Sequence, residues 1–223
     1  MGGGRRRKER KRLNWWQETL VLLVLALLTS IVVKAFFVQM FFVPSASMHN
    51  TLIEDDRILV EKVSTWDGQV DRGDVVVFKD PGGWLGASPQ PTGFQELLAL
   101  MGLYPEGGHL VKRVIGVGGD HVVCCDKQGR ITVNGEPLDE SSYLPKGTKP
   151  SEKVFNVVVP KNDVWVMGDN RSNSQDSRYH MNDPGHGFVP VNDVVGRVWA
   201  IVWPANRFEL MENPDTSVPA ASR

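Results

Sequence analysis

Two serines and a lysine are the residues of this chain best suited to covalent chemistry. The segment Phe42-Val-Pro-Ser-Ala-Ser-Met-His-Asn-Thr-Leu carries Ser45 and Ser47 on either side of Ala46, directly after a proline that stiffens the turn. A serine becomes a nucleophile only beside a base. The five histidines are His49, His109, His121, His180 and His186, and none stands in a recognisable triad signature. His49 is two residues from Ser47 and in extended chain points the same way without turning back onto it. His180 and His186 fall in a polar, Gly-rich loop. Lysine offers a different route, because burial disfavours the ammonium form and leaves an amine that accepts the serine proton. Lys112 stands in the apolar stretch Leu110-Val-Lys-Arg-Val-Ile-Gly-Val, where alternation groups it with Leu110 and Val114, and Arg113 with Val111 and Ile115. The period does not say which face is buried. Arginine keeps its proton, so only Lys112 is eligible as a base.

A third cluster, Gly168-Asp-Asn-Arg-Ser-Asn-Ser-Gln-Asp-Ser-Arg-Tyr, is a dense polar loop after an apolar run. Arg171 and Arg178 would compete with a cation there, so no metal site is expected. Asp176 and Arg178 are well placed to pair, and a serine in this loop could steady a neutral amine by hydrogen bonding.

These residues need elements to hold them. From Leu20 to Val38 the chain is almost continuously apolar, interrupted by Thr29, Ser30 and Lys34. As a helix that run spans roughly 28 Å, close to a bilayer core of about 30 Å. Trp15 and Trp16 sit where interfacial aromatics sit, and Lys34 near the far end can reach outward. Residues 1–12 carry seven Arg or Lys against Glu9 alone, which keeps that end cytoplasmic by the positive-inside bias. The body is then extracytoplasmic. A cleaved signal peptide is the rival reading, with Ser45 and Ser47 spaced like a cleavage site, but apolar character persists through Phe41, Phe42 and Val43, well past a signal-peptide core.

The formal charge of -1 hides an asymmetry: without residues 1–12 the chain holds 18 basic and 25 acidic groups. An acidic body argues against nucleic acid as a partner. Cys124 and Cys125 are adjacent, which suits neither ordinary disulfide geometry nor a zinc site, so they are expected as strand residues.

Beyond residue 50 the apolar runs are short and rich in Val and Ile: Arg57–Val63, Asp74–Lys79, Leu110–Val117, His121–Cys125, Val154–Val159, Asp163–Met167 and Val194–Trp203. Gly-containing turns separate them, which predicts a mostly β, antiparallel barrel or sandwich behind the single N-terminal helix. The expected organisation is a basic tip (1–14), an anchor (15–43), a first core part (44–125) with an insertion at 81–108, a small subdomain (126–153), a second core part (154–208) and a disordered tail (209–223). Within the insertion, Phe94–Leu103 reads as a short amphipathic helix.

Four segments resemble, in order, the motifs of the bacterial type I signal peptidase family. They are Pro44-Ser-Ala-Ser-Met, Arg72-Gly-Asp-Val-Val-Val-Phe-Lys, Val111-Lys-Arg-Val-Ile-Gly-Val-Gly-Gly-Asp, and Gly168-Asp-Asn-Arg-Ser-Asn-Ser-Gln-Asp-Ser-Arg. On the residues alone Ser45 and Ser47 are equal candidates; the resemblance implies Ser47 as nucleophile and Lys112 as general base. It implies that the Ser45 hydroxyl and the Ser47 N–H form the oxyanion hole, that Ser174 orients the lysine, and that Asp176 and Arg178 form a supporting ion pair. It further implies no cofactor, signal-peptide-bearing pre-proteins as substrates, the lipid bilayer as setting and the protein export machinery as a further partner. The family usually has Pro-Thr two residues after Ser-Met, whereas here Asn50-Thr51 follows Met48-His49. A membrane-anchored, non-catalytic β domain that binds a partner at the membrane surface is the alternative. A Ser–Lys self-cleaving repressor of the LexA type is disfavoured by the anchor and by the lack of a helix-turn-helix.

Overall fold

The structure, a computed structural model, describes residues 14–66, 68–86, 93 and 108–214. It divides into two units, Met1–Phe37 and Val38–Arg223.

The first unit is helix α1, Trp15–Phe36. Its start is capped by Gln17, whose side chain accepts the Asn14 N–H at 3.0 Å. Apolar side chains from Leu20 to Phe36 are exposed, Leu22 at 66% and Leu27 at 63%. Among the described residues no helix is long and apolar enough to cross a membrane. The side chains of residues 32, 34 and 35 lie outside that description, and with them the expected outward reach of Lys34. So do the basic tip, the Phe94–Leu103 helix and residues 215–223.

Among the described residues the second unit holds twelve strands. They are β1 (Val38–Phe42), β2 (Arg57–Glu61), β3 (Val75–Lys79), β4 (His109–Val117), β5 (His121–Cys124), β6 (Ile131–Val133), β7 (Glu136–Pro137), β8 (Phe155–Val158), β9 (Asp163–Met167), β10 (Val189–Pro190), β11 (Val194–Trp203) and β12 (Glu209–Leu210). The larger sheet runs β1-β2-β11-β3-β4-β9-β10, with β12 on β11, and the smaller runs β7-β6-β5-β8. Every pairing is antiparallel. A cluster of Ile115, Val122, Ile131, Phe155, Trp165 and Met167 joins the two sheets. The buried Val, Ile and Phe side chains supply most of the unit's stabilisation, each worth about 1.5–3 kcal/mol when fully buried.

Four expectations differ from this architecture. The apolar run ends its helix at Phe36, and Val38–Phe42 pairs with β2 instead of extending the anchor to residue 43. Val43 is buried and Phe41 packs on the cluster of Ile58, Val60 and Ile201, so this end of the run serves a protein core. The small subdomain begins at β5 and closes at β8, outside the expected 126–153, because its strands need neighbours from both flanks. The tail is ordered to residue 214: Leu210 pairs with Ala200, Met211 packs on the core, and Asn213 Nδ2 donates to Asp74 Oδ1 at 2.8 Å. Cys124 closes β5 as a buried strand residue, as expected, whereas Cys125 falls just beyond the strand and the two are joined by a disulfide.

Candidate active site

Ser47 sits in a 3₁₀ turn, Ala46–Met48, whose anchor is the buried Met48 side chain. Pro44 leads the chain out of β1, and Ser45 caps the turn: its Oγ accepts the Ser47 N–H at 3.2 Å. Ser47 is 8% exposed, whereas Ser45 lies on the surface.

Lys112 comes from the middle of β4, between β3 and β9, and is 4% exposed. Its Nζ lies 2.7 Å from Ser47 Oγ and donates to the Val111 carbonyl at 3.0 Å. Burial lowers its pKa from 10.5 to about 8, partly opposed by the negative charges of Asp176 and Asp169. A fraction of Lys112 is therefore neutral near pH 7 and can accept a proton from the hydroxyl it touches.

Both faces of β4 are buried, which the strand period left undecided. Arg113, the next residue, is a purely structural cation. It grips Asp169 with Nε at 2.9 Å and Nη2 at 2.7 Å, donates through Nη1 to the Gly73 carbonyl at 2.7 Å, and lies over the Tyr143 ring at 4.1 Å. Thr51 donates to the same Asp169 carboxylate, which ties the segment after Ser47 to this pair. Asn50 takes φ +95°, a left-handed conformation closed to proline, and its amide donates to the Tyr143 carbonyl at 2.9 Å.

Asp176 and Arg178 pair in the buried loop after β9, as expected, through Nε and Nη2, each at 2.8 Å. Asp176 also accepts the Gly168 N–H at 3.0 Å. Gly168 cannot carry a side chain, since a Cβ would collide with Ser174 Oγ and the Ser47 carbonyl oxygen. Ser174 therefore lies in the same niche as Ser47. Its buried hydroxyl has no hydrogen-bond partner, and the expected contact with Lys112 is not made in this structure. Asn170 binds the turn itself: its backbone N–H donates to the Ser47 carbonyl and its Nδ2 to the Ala46 carbonyl, both at 3.0 Å.

Sequence reasoning missed Gly168, Asp169, Asn170 and Thr51 as parts of the site. Their only signal was membership of the Gly-Asp-Asn turn and of the segment after Met48. No group of three or more His, Cys, Asp or Glu residues suited to a metal occurs among the described residues. A small cavity of about 10 Å³ between Gly73, Arg197, Met211 and Asn213 has neither Ser47 nor Lys112 in its wall.

A family profile described as signal peptidase, peptidase S26, matches residues 16–203. A probable signal peptidase I of Mycobacterium leprae is 37% identical over 207 residues, covering 78% of this chain and 71% of that protein. A signal peptidase I of Mycobacterium tuberculosis is 36% identical over 204 residues, covering 80% of this chain and 69% of that protein. A crystal structure of a signal peptidase I from Enterococcus faecalis aligns with a TM-score of 0.38 at 23% identity, over 58% of this chain and 97% of that one.

Proposed function

The chain belongs to the signal peptidase family, peptidase S26, and on that premise we propose that it removes N-terminal signal peptides from exported pre-proteins with Ser47 as nucleophile and Lys112 as general base. The observation that carries the assignment is the 2.7 Å contact between Lys112 Nζ and Ser47 Oγ, in a site where burial brings the lysine to a pKa of about 8.

In this mechanism neutral Lys112 takes the Ser47 proton as Oγ attacks the carbonyl carbon. The substrate oxygen becomes an oxyanion and accepts from the Ser47 N–H and the Ser45 hydroxyl, contacts of a kind worth roughly 3 kcal/mol each. In the free protein these two groups are bonded to each other, so an arriving oxygen displaces the Ser45 acceptor and the Ser45 hydrogen turns toward it. Lys112 then gives its proton to the leaving amine, and the acyl group stays on Oγ. Water, activated by the same amine, releases the acyl group and restores Ser47. Lys112 has three donor positions when charged and two partners here, while Ser174 has a hydroxyl without a partner in the same niche. Ser174 is proposed to orient the amine once Ser47 has given up its proton. Asp176 and Arg178 support the loop that holds it.

With residues 32, 34 and 35, whose side chains lie outside the described set, counted in from the sequence, residues 15–36 are proposed as a single membrane-spanning anchor with a cytoplasmic N-terminus and an extracytoplasmic catalytic domain. The apolar run Leu20–Val38, the two tryptophans before it and the basic residues 5–12 support that topology. The bilayer and the export machinery are then the surroundings in which pre-proteins reach Ser47.

Cleavage of a pre-protein in detergent tests the reading. Wild type should process it, and Ser47→Ala and Lys112→Met should not; retained processing in either variant overturns the dyad.

A further inference from the structure

The dyad leaves open what aims the oxyanion-binding N–H. That N–H belongs to Ser47, and it shares one planar, trans peptide unit with the Ala46 carbonyl. The two groups therefore point in opposite directions. Fixing the Ala46 oxygen fixes the Ser47 N–H.

Asn170 holds that oxygen. Its Nδ2 donates to the Ala46 carbonyl at 3.0 Å. A carbonyl can only accept, which assigns the amide nitrogen to this side; the Asn170 Oδ1 correspondingly accepts from the Ser172 hydroxyl at 3.3 Å. The other acceptance by the Ala46 oxygen is the turn's own bond from the His49 N–H, at 3.1 Å. The Asn170 backbone N–H binds the Ser47 carbonyl, also at 3.0 Å. One residue thus grips both peptide planes that flank the Ser47 Cα. Together those planes set the Ser47 backbone angles, and so the direction in which Cβ–Oγ leaves the chain toward Lys112.

Gly168 and Asp169 bring Asn170 to this place. Gly168 packs without a side chain against the Ser47 carbonyl, and Asp169 is locked by Arg113, the residue next to Lys112. The loop after β9 and the strand that carries the base are therefore rigidly joined where the turn is gripped.

We infer that Asn170 is a positioning residue for the peptide bond cleavage proposed above, aiming the Ser47 N–H at the developing oxyanion through its side-chain bond to the Ala46 carbonyl. It touches neither substrate nor the transferred proton. Its loss should lower kcat while leaving ground-state substrate binding and the titration of Lys112 in place.

The test compares wild type with Asn170→Ala and Asn170→Asp in the full chain, with a cleavable pre-protein, a peptide aldehyde and a non-cleavable peptide of the same sequence. The aldehyde carbon accepts Ser47 Oγ reversibly and turns its oxygen toward the oxyanion hole. Asn170→Asp keeps the backbone donor and the side-chain shape but cannot donate to Ala46 when ionised, so it serves even where the alanine variant folds poorly. Expected are a roughly 10- to 100-fold fall in kcat with KM within about twofold, a parallel loss of aldehyde affinity, unchanged affinity for the non-cleavable peptide, and, in the uncharged Asn170→Ala, a pH midpoint still near 8. Combining Asn170→Ala with Ser45→Ala should cost less than the product of the single effects, because both act on one oxyanion. Unchanged kcat and aldehyde affinity in Asn170→Asp would sink the inference, as would a kcat loss without any loss of aldehyde affinity. Ser47→Ala run alongside separates the two levels: an active Ser47→Ala overturns the functional reading, whereas an inactive Ser47→Ala with fully active Asn170 variants overturns only the role of Asn170.

Discussion

Lys112 and Arg113 are neighbours on one strand, equally buried, yet the structure treats their charges in opposite ways. Arg113 meets a carboxylate through two hydrogen bonds and two further oxygens through the rest of its fork. The two-pronged grip recurs at Arg178 with Asp176, while Arg171 meets Glu140 through a single bond from Nη2 and gives its other donors to the Gly168 and Pro150 carbonyls. Lys112 touches only a hydroxyl and a carbonyl, and its carboxylates act from a distance. A guanidinium keeps its proton under any of these conditions, so pairing it costs the protein no chemistry. An amine paired as tightly would be held charged and could not act as a base. The contrast between a paired frame and an unpaired centre is the design of the site.

The largest effects should come from filling or emptying the centre. Lys112→Arg, which installs a permanent cation, should lose at least about a thousandfold in kcat/KM, comparable to Ser47→Ala, measured by pre-protein cleavage. An active Lys112→Arg would break the contrast outright. In the frame, Asp169→Ala leaves Arg113 buried without its partner and should cost about 3–5 kcal/mol in urea unfolding. If it costs less than about 1 kcal/mol, the frame is not what holds the site. Gly168→Ala, which forces Ser174 and the Ser47 carbonyl apart, should lower kcat by roughly 100-fold.

The pH dependence sharpens the same contrast. Activity should rise about tenfold per pH unit and level off above a midpoint near 8 as Lys112 loses its proton. Stability should move in the same direction. The unfolded chain keeps this proton to about 10.5 and the folded chain only to about 8, so stability grows as pH rises between those values and the penalty is full below 8. Lys112→Met should therefore gain up to roughly 3 kcal/mol at pH 7 while abolishing activity, seen by comparing unfolding curves. A Lys112→Met variant no more stable than wild type would mean that burial does not strain this lysine. The smallest effect is expected at Asn50→Gly, which keeps the left-handed backbone and loses one side-chain hydrogen bond, about 1 kcal/mol.

Much of the centre was legible before the structure. An eligible lysine in an apolar strand and a serine turn after a proline follow from residue type and period, and the pairing of Asp176 with Arg178 followed from their spacing. The frame was not legible, because Arg113 to Asp169 and Thr51 to Asp169 join positions separated by 56 and 118 residues. Nothing local marks such partners. The strand at Val38–Phe42 was hidden for a different reason: an apolar stretch that continues a helix and one that enters a sheet look alike until a neighbour such as β2 is available.

The sequence by itself determined which groups could react, since only side-chain chemistry decides that a lysine can be neutral and an arginine cannot. It also determined the antiparallel β character, through short Val- and Ile-rich runs between turns. Only the tertiary structure decided that Lys112 reaches Ser47, that Ser174 is left without a hydrogen bond, and that Asn170 grips the Ser47 turn. Those contacts depend on how strands distant in the chain are laid side by side, and a hydrogen bond exists only where that packing brings donor and acceptor within about 3 Å.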